Sequence, residues 1–257
     1  MTLRREGEAL VVDRATWAAL AGAEQVDPQL TAAAAAVPGG EQALEAGRDP
    51  LVVVQVQTAT PGGVFTHEAW VDEDAAAVLL DLGRGEDRRL LVLPPDHLAA
   101  SLARMVRLAP RAHAPADREA RAVQESELEA WFGAASPGGD APTGRAGAAL
   151  GADRAWRLVA AAVGSDAAPL MLAAVDGRDS GLWVVDVGED VDGDDAATPG
   201  SAEATAAGGL RLVPTTPTQV WRELAGVLPA LVPPEEAVTT KGAKDTLGGS
   251  PPRVDGS

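Results

Sequence analysis

Apolar and polar residues alternate along two stretches near residue 60, and a Pro-Gly-Gly turn separates them. Residues 51–58 read LVVVQVQT, and residues 64–71 read VFTHEAWV. Two such runs on either side of a glycine-rich turn are typical of a β-hairpin. Two further apolar runs follow after short turns, so we also expect strands over residues 76–82 and 88–93.

Four other stretches of the first half have apolar residues at helical spacing or a helix-favouring composition. The first predicted helix is short, is capped by Asp13 and carries Trp17 and Leu20. The second is Ala-rich, covers residues 27–46 and is interrupted at Pro38-Gly39-Gly40. The third begins at Pro94-Pro95 and carries Leu98, Leu102, Met105 and Leu108, and the fourth covers residues 115–132.

Strand patterns return in the second half of the chain. They predict strands over 156–163, 170–175, 182–187 and 210–213, followed by a helix over 215–228. Stretches rich in Gly, Ala, Pro and Asp indicate irregular structure elsewhere. We therefore expect an N-terminal half over 1–132, a flexible linker over 133–153, a C-terminal half over 154–232 that contains an acidic loop at 188–208, and a disordered tail over 233–257.

The second half repeats the order of elements found in the first. Val71-Asp72 and Val175-Asp176 each precede a turn and an apolar strand. At an offset of 119 residues, Leu91, Leu93, Pro95, Leu102 and Met105 correspond to Leu210, Leu212, Pro214, Trp221 and Leu224. Two matches in the same order indicate an internal duplication. The sequence thus predicts an α+β fold in which both halves contribute four strands and a closing helix to one antiparallel sheet.

Composition narrows the possible partners. The 257 residues include 21 Lys and Arg against 38 Asp and Glu, a formal net charge of −17, and no Cys. Such an acidic chain is poorly suited to nucleic acid or anionic membranes, and without Cys it has no disulfide or thiol nucleophile. We find no apolar run long enough to cross a membrane and no signal-like N-terminus, so a cytoplasmic location is the default expectation.

The chain carries few residues suited to catalysis or metal binding. Its three histidines are His67 in a predicted strand, His97 at a helix start and His113 in a linker, and an ordinary structural role is favoured for each. The glycines at 139 and 144 lack the Lys of a phosphate loop. The acidic loop has Gly188 and Pro199 where an EF-hand needs Asp and Glu, so we expect a solvated loop and leave Ca²⁺ binding open. We therefore expect no catalytic residue, no metal site and no cofactor.

Several of these segments resemble the EspG family, the actinobacterial chaperones of type VII (ESX) secretion. The resemblance lies in residues 90–108 (LLVLPPDHLAASLARMVRL), the Val71-Asp72 hairpin before them, residues 210–228 (LRLVPTTPTQVWRELAGVL), and the N-terminal Leu10-Val11-Val12-Asp13 that leads into the Trp17 helix. It implies a pseudo-two-fold fold with a central antiparallel sheet and two helical bundles. It also implies a cytosolic protein, not an enzyme, that binds a PE–PPE heterodimer or a related type VII substrate and keeps it soluble for export.

The first hairpin also offers a candidate surface for such a partner. If Val52, Val54 and Val56 face the core, the residues of the other sheet face form an amphipathic patch. We expect this patch to contain Gln55, Gln57, Thr66, Glu68 and Trp70, with Met171 and Trp183 on the matching hairpin of the second half.

Two other functions stay open at this point. Carboxylates such as Glu68 and Asp72 could form the site of an enzyme with an unknown substrate. The chain could also be a duplicated structural or immunity-type binding protein with no role in export. Clustered carboxylates in a pocket would favour the enzyme, whereas an open apolar sheet face would favour the chaperone.

Overall fold

Eleven strands in the described part of the chain form one antiparallel sheet. The computed structural model describes residues 3–6, 9–22, 28–83, 85–110, 119–133, 152–177, 180–187 and 209–231. The strands are β1 (Leu3–Glu6), β2 (Ala9–Asp13), β3 (Val52–Thr60), β4 (Gly63–Val71), β5 (Ala76–Asp81), β6 (Asp87–Leu93), β7 (Arg121–Ala122), β8 (Ala152–Ala162), β9 (Leu170–Gly177), β10 (Gly181–Val187) and β11 (Leu210–Thr215). The helices are α1 (Arg14–Gly22), α2 (Pro28–Ala35), α3 (Gly40–Arg48), a 3₁₀ turn at Pro95–His97, α4 (Leu98–Met105), α5 (Glu125–Gly133) and α6 (Pro217–Leu231).

The pairing of β3 with β8 lies at the centre of the sheet. The strand order is β1-β2-β6-β5-β4-β3-β8-β9-β10-β11-β7. On one side of the central pair, β3 to β6 follow each other in chain order, and on the other side β8 to β11 do the same. The α+β architecture and the single antiparallel sheet predicted from the sequence are confirmed, and the strand order is the same in both halves.

One face of the sheet, which we call the helix-covered face, packs against α4 and α6. Every second residue of β3 points to this face, and Val52, Val54 and Val56 are buried there. The same core contains Leu158 of β8, and Leu98 and Leu224 from the two helices. Burial of this continuous apolar layer joins the two halves of the chain into one core.

The opposite face carries helices at its two ends. At one end, α1 to α3 bury Trp17, Leu44, Leu79 and Leu90 among other residues. Asp13 caps α1 as predicted, since its Oδ1 accepts a hydrogen bond of 2.7 Å from the Thr16 backbone N–H. A Cβ at Gly47 of α3 would lie 3.0 Å from Trp17, so glycine lets α3 approach α1 closely. At the other end, α5 packs Trp131 against the sheet.

The predicted helix over 115–132 is wrong in its first part. Residues 119–124 contain the short strand β7, which pairs with β11, and α5 begins only at Glu125. The backbone N–H of Val123 donates to Leu210 O at 2.9 Å, and the Val123 side chain is buried. This tertiary pairing overrides the helical composition of the segment. Residues 111–118, the linker after Gly133, the acidic loop and the tail lie outside the described residues.

The duplication and the two helical bundles stay predictions, and the predicted alignment of the two halves is wrong by three residues. Leu98, Leu102 and Met105 of α4 are buried, and their buried counterparts in α6 are Val220, Leu224 and Val227, an offset of 122 residues. Trp221, which the sequence paired with Leu102, is 42% exposed. Within the described ranges, three helices group at one end of the second face, whereas α5 alone lies at the other end.

The corrected alignment makes a testable prediction about stability. Leu102→Ala and Leu224→Ala should each lower the free energy of unfolding by about 2–5 kcal/mol, because each leaves a cavity under the sheet. Trp221→Ala should cost clearly less, because that side chain already contacts solvent. Urea denaturation of the three variants measures this. If Trp221→Ala lowers the free energy of unfolding as much as Leu224→Ala does, the original alignment with an offset of 119 residues would be favoured again.

Candidate binding face of the sheet

The middle of the second sheet face is the part least covered by the protein's own helices. Its side chains come from β3, β4, β8 and β9 and the residues beside them, and all are half-buried or exposed. We call this surface the open strip. It consists of Leu51, Val53, Gln55, Gln57, Thr66, Glu68, Val159, Ala161, Val163 and Met171.

The strand register brings together the hairpin residues that the sequence selected. Gln55 lies opposite Glu68, and Gln57 lies opposite Thr66. On the other side of β3, Gln55 lies opposite Val159, which in turn pairs with Met171 of β9. Since residues directly opposite each other share a face, these side chains form one continuous row across four strands. Their role in binding stays a prediction.

The polar end of the open strip is held by two arginines from outside the first hairpin. Arg14 of α1 makes a bidentate ion pair with Glu68, with its Nε 3.1 Å from Oε2. Arg157 of β8 donates from Nε to Gln57 Oε1 at 2.6 Å, and its guanidinium lies 4.6 Å from the ring centroid of Phe132. Both contacts fix polar groups in place, whereas the Gln55 amide has no side-chain hydrogen bond to any residue that the structure describes. Gln55 is therefore available to an incoming backbone group.

The open strip also exposes large apolar side chains. Met171 is 71% exposed, Val163 is 52% exposed and Leu51 is 39% exposed. The backbone N–H of Val163 donates to Leu51 O at 2.8 Å, so these two residues extend the β3–β8 ladder by one pair. Apolar side chains grouped in this way, beside free hydrogen-bonding groups, form a surface suited to a protein partner.

The open strip continues into a cavity beside α5. This cavity has a volume of about 220 Å³ and is lined mainly by apolar side chains, including Leu128 and Phe132 of α5 and Met171 and Val187 from the sheet. An apolar residue of a partner could enter it from the strip. No local sequence pattern predicts this cavity, because α5 and β9 are distant along the chain.

Trp183 and Trp70 differ from what the sequence predicted. Trp183 is fully buried, its Nε1 donates to Ser180 O at 3.1 Å, and Arg121 stacks on its ring. Trp183 is therefore a core residue, and its prediction as a contact residue is wrong. Trp70 is half-buried, with its ring centroid 5.5 Å from that of Trp17. It joins α1 to the sheet, so it borders the open strip as a packing residue.

The sequence analysis missed Leu51, Val163 and Arg157. The alternation of β3 extends one residue back to Leu51, and the odd-numbered positions of β8 place Arg157 and Val163 on the same face. If the β3–β8 pairing had been known, the alternation of side chains in these two strands would have predicted that all three residues lie on this face.

The carboxylates considered for an enzyme site have structural partners. Glu68 is bound by Arg14, and Asp72 Oδ1 accepts the backbone N–H groups of Asp74 and Ala75 at 2.8 and 2.6 Å in the turn after β4. Among the residues that the structure describes, there is no group of three His, Asp or Glu side chains that could hold a metal ion.

Of the two histidines that the structure describes, His67 is buried. Its Nδ1 accepts a hydrogen bond of 3.1 Å from the backbone N–H of Asp81, so the neutral ring carries its hydrogen on Nε2. Burial lowers the pKa of His67 below 6.5, because the charged ring would lose its hydration, and nearby Asp81 opposes this effect only in part. His97 is exposed, and His113 lies outside the described residues.

Comparisons with solved structures show a likeness to a known chaperone. The chain is similar to the solved Mycobacterium tuberculosis type VII secretion system chaperone EspG5, in a structure of its complex with a PE25–PPE41 dimer. The alignment covers 86% of this chain and 96% of that chain, with 16% sequence identity and a TM-score of 0.47. No family model and no curated protein matches. A likeness with this TM-score does not establish a function.

Within the described ranges, no helix is both long and apolar enough to cross a membrane.

The burial of His67 predicts a pH dependence of stability. Below pH 6.5 the unfolded chain binds a proton at His67 that the folded protein binds only at lower pH. The free energy of unfolding should therefore fall as the pH drops from 6.5 toward the lowered pKa, with no contribution from His67 above that range. His67→Gln, which keeps an acceptor for Asp81, should remove this part of the pH dependence.

Urea denaturation between pH 8 and pH 5 measures the effect. His97→Gln is the matched control, because it removes an exposed histidine, and it should keep the wild-type pH dependence. If His67→Gln loses stability with falling pH as steeply as the wild type, His67 does not cause the effect.

Proposed function

We propose that this protein is a cytosolic EspG-like chaperone that binds a type VII secretion substrate on the open strip and keeps it soluble until export. The client would be a PE–PPE-like heterodimer or a related helical hairpin. We also propose that the protein has no catalytic role. The sequence resemblance to the EspG family suggests this class, and the observation that carries the proposal is the exposure of Leu51, Val163 and Met171 on the same sheet face as Gln55.

The chemistry of the open strip suits the tip of a helical hairpin. Where helices end, backbone N–H and C=O groups lack intrahelical partners. The Gln55 amide can donate to such a carbonyl and accept from such an N–H, because it has both kinds of atom. The exposed apolar residues of the strip would cover the client's own apolar side chains, which would otherwise promote aggregation.

The preorganised polar end supports specific binding. Arg14 and Arg157 hold Glu68 and Gln57 in fixed positions before a client arrives, so less side-chain freedom would be lost on binding. The net charge of −17 would also speed encounters with basic clients and disfavour nucleic acid.

A duplication of the chain is part of this proposal. The two halves have the same strand order on either side of β3 and β8, and the three buried positions of α6 match three of the four buried positions of α4. A pseudo-two-fold axis between β3 and β8 would place the open strip across the junction of the halves. A client would then contact both copies.

Leu51 and Leu82 allow a matched test, since both are 39% exposed and only Leu51 lies on the open strip. Leu51→Asp and Met171→Asp should each weaken client binding about tenfold or more, because a bound client would bury a carboxylate without a partner. Leu82→Asp, with the same change in net charge, should bind like the wild type. The assay is co-expression with PE–PPE-like pairs and related type VII substrates from the source genome, followed by size-exclusion chromatography and titration of the purified complex.

Two results would contradict the proposal. If the wild type forms no complex with any of these substrates, the chaperone function is wrong, and a structural or immunity-type role becomes the better hypothesis. If all three Asp variants bind like the wild type, the client binds elsewhere. Thermal melting of each variant separates lost binding from lost folding.

A further inference from the structure

A second cavity lies on the helix-covered face, away from the open strip. It has a volume of about 260 Å³ and is bounded by β3 to β6 and by α4 and the residues after it. Its walls include the apolar side chains of Phe65, Val78, Leu80, Leu91 and Met105. Ligand pockets are usually apolar cavities of about 300–1,000 Å³ with a few polar groups, so this one suits a small ligand.

The solvent side of this cavity carries unpaired positive charge. Arg104 and Arg107 line the cavity and are exposed, and neither guanidinium has an ion-pair or hydrogen-bond partner among the residues that the structure describes. Asp81 is the acidic residue of the lining, and Arg88 neutralises it at 3.3 Å while the backbone N–H groups of Thr66 and Gly83 bind its oxygens. Two arginines without a partner among the described residues favour an anion at this cavity.

Hydrogen-bond donors accompany these charges. Ser101 of α4 lines the cavity, and its hydroxyl makes no hydrogen bond to any described residue. His67, also in the lining, has its hydrogen on Nε2, because Nδ1 accepts from Asp81. The cavity therefore combines an apolar interior with neutral donors and two cations.

The backbone of Arg107 is held in an unusual conformation. Its φ angle is 51°, in the left-handed region that a helix end usually gives to glycine. The backbone N–H of Leu108 donates to Ala103 O at 2.8 Å, which closes the end of α4 around this residue. A strained arginine where glycine would fit better suggests that its side chain is used at this position.

The corresponding cavity beside α6 has the opposite charge. It has a volume of about 290 Å³ and is lined by Asp186 and Glu223, with no basic residue in its lining among the described residues. Two cavities with similar positions under the two helices thus differ in charge. This difference provides an internal control for anion binding.

We propose that the cavity beside α4 binds a small amphiphilic carboxylate, with its acyl chain among Phe65, Leu80 and Leu91 and its carboxylate at Arg104 and Arg107. A carboxylate can accept two hydrogen bonds from an arginine, and the acyl chain gains by leaving water. This binding is separate from client binding, because it uses the other face of the sheet.

Titration with hexanoate, followed by NMR of the backbone amides and by calorimetry, tests the proposal. Saturable shifts are expected for Phe65, Ser101 and Arg107, with no shifts around Glu223 in the cavity beside α6. Hexanol, which lacks the charge, should bind about tenfold more weakly. The double variant Arg104→Gln, Arg107→Gln should lose about tenfold in hexanoate affinity and little in hexanol affinity.

The control variant is Arg222→Gln, which removes an exposed arginine of α6 and should leave hexanoate binding unchanged. Three outcomes would overturn the proposal. They are no saturable binding of hexanoate, equal affinity for hexanoate and hexanol, and equal effects of the double variant and Arg222→Gln. Client binding measured on the same variants should not change, which separates this inference from the proposed chaperone function.

Discussion

The antiparallel pairing of β3 with β8 determines the rest of this structure. It runs from Val52 opposite Ala162 to Ala59 opposite Ala155, and it joins the two halves of the chain. Because side chains alternate between faces, a slip of one residue would move Val52, Val54 and Val56 from the core to the opposite face. The same register places Val54 under α4 and α6 and places Gln55 on the open strip. The core and the candidate binding surface are thus two consequences of one pairing.

Small residues in β8 make this central pairing compatible with close helix packing. Ala160, Ala161 and Ala162 lie opposite Val54, Val53 and Val52. The largest side chains of the core are those of a few tryptophans. Each of the three apolar clusters contains at least one buried tryptophan, namely Trp156 under α4 and α6, Trp17 under α3, and Trp183 near α5. In a chain with six Trp and no Tyr, these residues supply much of the volume that defines where each helix packs.

Local patterns in the sequence were sufficient for the strands but not for contacts between distant segments. Alternation and glycine turns placed the first hairpin within two residues of its ends. The repeat alignment failed because the second half has two prolines near the strand end. Pro214 lies inside β11, whereas Pro217 begins α6 and matches Pro95 in the first half. The burial of Trp183 and the strand at Arg121–Ala122 depend on α5 and β11 meeting in space, which no local pattern contains.

The exposure of the open strip follows from how the second face is covered. Trp17 and Trp70 fix α1 at one end of that face, and Trp131 fixes α5 at the other, so the covering helices are anchored apart from the middle. Leu51, Val163 and Met171 then have contact with water, although apolar side chains grouped on a strand surface promote association. The neighbouring polar groups are held by arginines from α1 and β8, which gives this surface a defined chemistry before any partner binds. An apolar patch with a polar border, on a sheet whose other face packs against α4 and α6, has the composition of a protein-recognition surface.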